Sequence, residues 1–243
     1  MRIALISDLH GNEIALRAVL ADADRVGCDE IICLGDIATL GPAPSAVIQL
    51  VRERTRRRIL GNHDDFMLNR DLIHSYTEAP IVVESVEWCR ARLSDDEIAF
   101  LRTFEPNLEI ALDDRSTLVL FHGTLRSHME DLLATTPPEE VDEMLMGRRG
   151  TVMAGGHTHL QLTRQHRGVL IVNPGSVGLP FQEHPDGLPP TLLGHAEYAT
   201  VEATNGVVAV QLRRVPVDRA AMAAAIGATD NPIRHYLLDQ YRR

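Results

Sequence analysis

Short apolar runs and helical repeats alternate through the first third of the chain. Arg2 to Ser7, Glu30 to Leu34 and Arg58 to Leu60 are β-rich runs. Between them, Asn12 to Val26 places Ile14, Leu16, Val19 and Leu20 at helical spacing and stops at Gly27. Ser45 to Arg54, entered after Pro44, reads as a second helix. This strand-helix-strand-helix-strand order predicts parallel strands joined by crossover helices. The middle is helical: Ile81 to Leu93, then a helix opened by the capping box Ser94-Asp95-Asp96-Glu97 and running to about Phe104. Strands at Leu108 to Leu112 and Thr117 to Phe121 follow, then an acidic helix from Thr136-Pro137 to Gly147. The last part is strand-rich: Thr151 to Ala154, Leu160 to Gln165, Val169 to Val172, Tyr198 to Ala203 and Val207 to Arg214. Arg167-Gly168 and Asn205-Gly206 are hairpin turns, and a helix pair from Asp218 closes the chain. Gly175 to Pro190 reads as a surface loop because strands resume after it, so one domain over residues 1–243 is expected.

Polar residues collect just past the carboxyl ends of these strands. They are Asp8-Leu9-His10, Gly35-Asp36, Gly61-Asn62-His63-Asp64, His122-Gly123 and Gly155-Gly156-His157-Thr158-His159. In open α/β sheets, ligands bind at that edge. Asp8 and His10 are two apart, as are His157 and His159. In extended chain such pairs point to the same side, so each pair is expected to reach one metal centre.

Composition narrows the chemistry. With 44% apolar residues in 243, the chain can bury a sizeable core. All 24 cationic residues are arginine, which removes any P-loop, kinase or Schiff-base lysine. A net charge of −10 disfavours bulk nucleic-acid binding. The run Arg52, Arg54, Arg56, Arg57 and Arg58 has no interleaved aromatic platform and reads as a solvated helix end. No apolar run approaches the roughly 20 residues of a membrane span, and the N-terminal run, broken by Asp8 and His10, is too short for a signal peptide. Cys28, Cys33 and Cys89 lack zinc-site spacing and read as reduced thiols, so a cytoplasmic location is expected.

Taken in order, the strand-end segments resemble the calcineurin-like metallophosphoesterase superfamily, whose pattern is D-x-H, G-D, G-N-H-[DE], H, G-H-x-H. The resemblance spans at least residues 1 to 176. Asp8-Leu9-His10-Gly11-Asn12, Gly41-Pro42 after Gly35-Asp36, Asn173-Pro174-Gly175-Ser176 and the tail Arg213 to Asp218 look like its small bacterial phosphodiesterase branch. It implies an α/β fold, a four-layer α-β-β-α sandwich, and a dinuclear site. One metal would be held by Asp8, His10, Asp36 and His159; the other by Asp36, Asn62, His122 and His157, with Asp36 as the bridge. Carboxylate and imidazole without thiolate suit Mn, Fe, Zn, Ni or Co. Two divalent ions and two carboxylates leave about +2, which attracts an anionic phosphate ester.

The resemblance implies hydrolysis by a metal-activated hydroxide, most simply of a phosphodiester, with a nucleotide as one possible substrate. His63 would face the substrate and stabilise transition-state charge or protonate the leaving oxygen. Asp64 would orient His63 or cap the short helix after it. Asn12 would contact phosphate or cap its helix, and Asn173 would line the site or make its Asn-Pro-Gly turn. His128 competes with His122 as a ligand; His74, His166, His184, His195 and His235 read as surface or packing residues. Relatives often carry arginine after the proline that stands here as Pro180, where this chain has Phe181. Two other functions compete: a phosphomonoesterase or dinucleoside polyphosphate hydrolase, and a metal-binding interaction scaffold without turnover, as the retromer subunit of this fold has become. Retention of His63 argues against the scaffold.

Overall fold

Alternating side chains buried on both faces explain why the first apolar run is a strand. In β1 (Arg2–Ile6), Ile3 and Leu5 enter one core and Ala4 and Ile6 another, all fully buried. The structure is a computed structural model describing residues 1–185 and 187–242. After β1 come α1 (Glu13–Arg25), β2 (Glu30–Cys33), α2 (Pro44–Arg54), β3 (Arg57–Arg58), α3 (Asn62–Leu68), α4 (Pro80–Arg90) and α5 (Asp95–Leu101). Then follow β4 (Leu108–Asp113), β5 (Ser116–Leu120), α6 (Pro138–Met144), β6 (Val152–Ala154), β7 (Gln161–His166) and β8 (Val169–Pro174). The long hairpin of β9 (His195–Thr204) and β10 (Val207–Pro216) precedes α7 (Arg219–Gly227) and α8 (Arg234–Arg242).

The strands form two mixed five-stranded sheets, ordered β10-β9-β1-β2-β3 and β4-β5-β6-β8-β7. β1, β2 and β3 run parallel, as do β5, β6 and β8, while the antiparallel strands lie outside them. Between the sheets, Ile3, Leu5, Ile32 and Leu34 meet Leu118, Leu120, Val152 and Val172. The outer face of the first sheet packs on α1, α2 and α5 through Leu16, Val19, Ile48 and Leu101. The outer face of the second packs on α6 through Val141 and Met144. Two mixed sheets flanked by helices are the expected four layers. The two parallel triplets aim their carboxyl ends at one region, which is where the polar clusters lie.

Local signals account for many boundaries. Asn12 caps α1 by accepting from the Ala15 N–H, and the Ser94/Glu97 capping box opens α5. Asn205 and Gly206 both take positive φ, 54° and 82°, as a tight hairpin turn requires. The arginine run is largely paired: Arg52 with Asp96, Arg54 with Asp24 and Arg57 with Glu30, while Arg58 lies over the Phe100 ring. The three cysteines are free. The loop expectation fails in part. The first part of the Gly175 to Pro190 stretch is not surface loop, because Gly175 to Pro180 is buried against the end of β1. There the Val177 and Gly178 N–H groups donate to the Ser7 and Asp8 carbonyls.

Asp22 ties α1 to the β9–β10 hairpin. Its Oδ2 accepts from the Tyr198 hydroxyl at 2.7 Å and from Arg213 Nε at 2.8 Å, and Arg25 holds Oδ1. Burial opposes its charge, but the bonds from Arg213, Tyr198 and Arg25 outweigh that and lower its pKa to about 2. A carboxyl with a depressed folded pKa stabilises above its unfolded value, near 4, and loses that contribution as pH falls toward 2. Asp22→Asn is therefore expected to lose about 1–2 kcal/mol at pH 7, discounted for solvent access. Denaturant unfolding of both proteins should show the gap narrowing from pH 5 to pH 3; a constant gap would refute the assignment.

Candidate metal centre

The loops after β1 and β2 lie side by side. The Asp8 N–H donates to the Gly35 carbonyl at 3.0 Å, and the His10 N–H to the Asp36 carbonyl at 3.0 Å. From the second sheet, the His157 N–H donates to Asp8 Oδ2 at 3.0 Å. Two groups of buried side chains result: Asp8, His10 and His159, and Asp36, His122 and His157. In each, the candidate ligand atoms lie within 4.8 Å of one another. Asn62 joins the second group, with Oδ1 3.0 Å from both His122 Nε2 and His157 Nδ1. All seven side chains singled out from the sequence thus converge.

The residues meet for a different reason from the one the spacing suggests. Asp8, His10, Asp36, His157 and His159 have φ of 55°, 44°, 57°, 70° and 57°, the left-handed region rather than extended chain. Non-glycine residues avoid this region at about 1–2 kcal/mol each, and such strain concentrates at functional loops. The His157/His159 pair also divides, one histidine to each group. Close packing helps hold these turns. A Cβ at Gly61 would come within 2.1 Å of Asp36 Oδ1, and one at Gly156 within 1.9 Å of Ser7 Oγ, so glycine is required at both.

Hydrogen bonds on the outer nitrogens orient two of the histidines. His159 Nδ1 donates to the Leu179 carbonyl and His122 Nδ1 to the Leu34 carbonyl, both at 2.7 Å. Each turns its Nε2 inward. His10 Nδ1 contacts Thr39 Oγ1 at 3.1 Å. Inside, His10 Nε2 stands 3.0 Å from His159 Nε2, and His122 Nε2 stands 3.0 Å from the Asn62 carbonyl oxygen. Asp8 Oδ1 has no hydrogen-bond partner among the described residues. Ring nitrogens and oxygens gathered at these separations can share a cation, or a proton carried by one of the nitrogens. The convergence of carboxylate, imidazole and amide oxygen fits divalent cations, and the lack of thiolate suits the transition ions named above.

Asp36 lies between the groups. Its Oδ2 is 3.4 Å from His122 Nε2 and 3.9 Å from His10 Nε2, while Oδ1 accepts from the His63 N–H at 2.8 Å. One oxygen, not two, faces both groups. The electrostatics follow from burial. Burial resists charge on Asp8, but His159 and His122 outweigh it and lower its pKa to about 2. Burial likewise resists charge on His122, yet Asp36 and Asp8 raise its pKa to about 10. Burial, with His122, lowers His157 to about 4.

His63 belongs to neither ligand group. Its ring stands edge-on to His10 at 5.0 Å, and its buried Nδ1 has no hydrogen-bond partner among the described residues. Burial, the largest influence, lowers its pKa. The Asp64 carboxylate accepts from the Gly61, Asp36 and Ile37 N–H groups. These bonds fulfil the helix-start alternative and lock the Asp36 loop to α3. Asn12 caps α1 and donates to the Gly178 carbonyl at 3.0 Å. Asn173 donates to the Gly156 carbonyl and accepts from the Gly175 N–H. The capping and turn alternatives are the ones these bonds serve. His128 instead pairs with Asp65 at 3.1 Å, outside both groups.

Sequence reasoning missed three neighbours. Thr39 fixes the His10 ring. Asp131 lies 3.4 Å from His157 Nε2 and also pairs with His184, a surface histidine as expected. Tyr76 stands at the mouth beside His63 and His157. All three come from irregular segments without a strand-end signal.

Residues 1–206 match the calcineurin-like phosphoesterase superfamily domain. The solved metallophosphoesterase from Sphaerobacter thermophilus is 26% identical, covering 100% of this chain and 99% of that one, with a TM-score of 0.76. Hypothetical protein PH1004 from Pyrococcus horikoshii OT3 shares the fold at a TM-score of 0.79 and 18% identity, covering 98% of this chain and 96% of its own. Phosphodiesterase YfcE from Escherichia coli strain K12 is 25% identical over 76% of this chain and 84% of its own length.

Proposed function

We propose that this chain, which belongs to the calcineurin-like phosphoesterase superfamily, is a metal-dependent phosphodiesterase. The observation that carries the reading is the pair of buried ligand groups with Asp36 Oδ2 facing both, and His63 beside them and uncommitted. Asp8, His10, Asp36 and His159 would hold one ion, and Asp36, Asn62, His122 and His157 the other. Divalent cations bound there supply Lewis acidity toward a phosphoryl oxygen and acidify water. The similarity to a bacterial phosphodiesterase favours a diester substrate.

The chain's own residues supply the rest. The Asp8 and Asp36 carboxylates neutralise part of the cationic charge and leave the site attractive to an anion. His63 would present its ring N–H to the phosphoryl or leaving oxygen. Asp64, through its three backbone bonds, holds the turn from which Asn62 and His63 project. No described helix is long and apolar enough to cross a membrane, and we place the protein in the cytoplasm.

The Mn-supplemented protein is expected to hydrolyse bis(4-nitrophenyl) phosphate faster than 4-nitrophenyl phosphate. Chelation should abolish this activity and Mn should restore it. A faster monoester rate would overturn the diester assignment. Turnover at buffer level with ions bound, measured by elemental analysis, would leave the scaffold reading standing.

A further inference from the structure

Tyr76 is oddly placed for a packing residue. The buried tyrosines Tyr198 and Tyr241 have their hydroxyls bonded to Asp22 Oδ2 and to the Gly178 carbonyl. Tyr76 is 46% exposed, and its hydroxyl has no hydrogen bond among the described residues. Three rings nevertheless hold it in place. Phe66 lies 5.7 Å away, His157 6.0 Å and His63 6.1 Å, centroid to centroid. Phe66 is itself buried, so the ring has a firm support while nearly half of its surface stays open to solvent. Its neighbours are a candidate metal ligand and the histidine uncommitted to either metal group.

A second aromatic stands across the centre. Phe181, half-buried, lies 4.2 Å from the His159 ring at an angle of 33°. The rings form a continuous series: Tyr76 to His63, His63 to His10 at 5.0 Å, His10 to His159 at 4.8 Å, and His159 to Phe181. The candidate ligands His10 and His159 therefore lie in a series of rings that ends on Tyr76 at one side and Phe181 at the other. A part-exposed aromatic ring beside a phosphate site can serve as a platform for another flat ring, and such stacking tolerates many ring identities.

We propose that Tyr76 is the stacking platform for an ester substituent, so that the site selects phosphate esters carrying a flat aromatic group such as an aryl ring or a nucleobase. This rests on the phosphoesterase reading above, for it takes the phosphate to sit at the metal groups. Tyr76 acts here as a specificity residue and takes no part in bond cleavage.

The test uses phenylphosphonate and methylphosphonate, whose carbon–phosphorus bonds resist ester hydrolysis, titrated into the full-length Mn-loaded protein by calorimetry. Wild type is expected to bind phenylphosphonate about tenfold tighter than methylphosphonate. Tyr76→Phe should keep that ratio. Tyr76→Ala should bring it near one, with metal content and methylphosphonate affinity unchanged. No preference in wild type, or an undiminished preference in Tyr76→Ala, overturns the proposal. Turnover of bis(4-nitrophenyl) phosphate by wild type is measured in parallel. Its absence beside an intact aromatic preference would sink the phosphodiesterase reading and leave the Tyr76 subsite.

Discussion

Replacing His63 with alanine is expected to leave both ligand groups loaded while lowering kcat by about a hundredfold or more. The two halves of this expectation come from separate observations. His63 lies outside both convergent groups, so its removal subtracts no ligand. Its backbone N–H, which the substitution preserves, still donates to Asp36 Oδ1 and keeps that carboxylate in place. The imidazole is buried with Nδ1 unpartnered among the described residues, although a buried polar atom without a partner is costly. A side chain kept in that condition beside a phosphate site is expected to find its partner in the substrate. Elemental analysis and steady-state kinetics on bis(4-nitrophenyl) phosphate separate the halves. Unchanged kcat would remove His63 from the chemistry, and lost metal would make it part of the cation site.

The second large effect is expected at Asp36. Asp36→Asn keeps an acceptor for the His63 N–H but removes the negative charge whose Oδ2 faces His122 at 3.4 Å and His10 at 3.9 Å. Both ions should weaken together, each by about a hundredfold or more, since even supporting residues around a metal are worth about 10–100-fold. Calorimetric titration with Mn, or metal stoichiometry after dialysis, reads this directly. Loss of a single ion would show that the carboxylate serves one group only.

Much of the architecture could be read from the residues, because each local signal agreed with the tertiary outcome. Ile3 to Ile6 alternate between two cores, and Asn12, Ser94 and Asp218 cap helices where their side chains reach a free N–H. Elements set by partners were harder. β3 is Arg57–Arg58, not Arg58 to Leu60, because pairing with Ile32 and Cys33 decides its extent. The parallel helix-crossover order was legible, but the burial of Gly175 to Pro180 was not. That segment is fixed by hydrogen bonds to Ser7 and Asp8, remote in sequence.

At the site, residue types and order revealed the ligands, whereas local geometry did not. Alternation in extended chain was the available argument for Asp8/His10 and His157/His159, and the left-handed φ at all four replaces it. No pattern in a single sequence marks a non-glycine residue for that conformation, because surrounding contacts impose it. Asp131 and Tyr76 reach the centre from segments whose local composition carries no sign of it.

Each ligand group draws on both sheets: Asp8 and His10 meet His159, and Asp36 meets His122 and His157. Neither half of the molecule owns a complete coordination set. A complete ligand set is therefore expected only once distant parts of the chain have docked, since the contacts that assemble it are non-local. A nascent or partly unravelled chain offers only scattered donors, so ion binding at this site is expected to report on finished assembly.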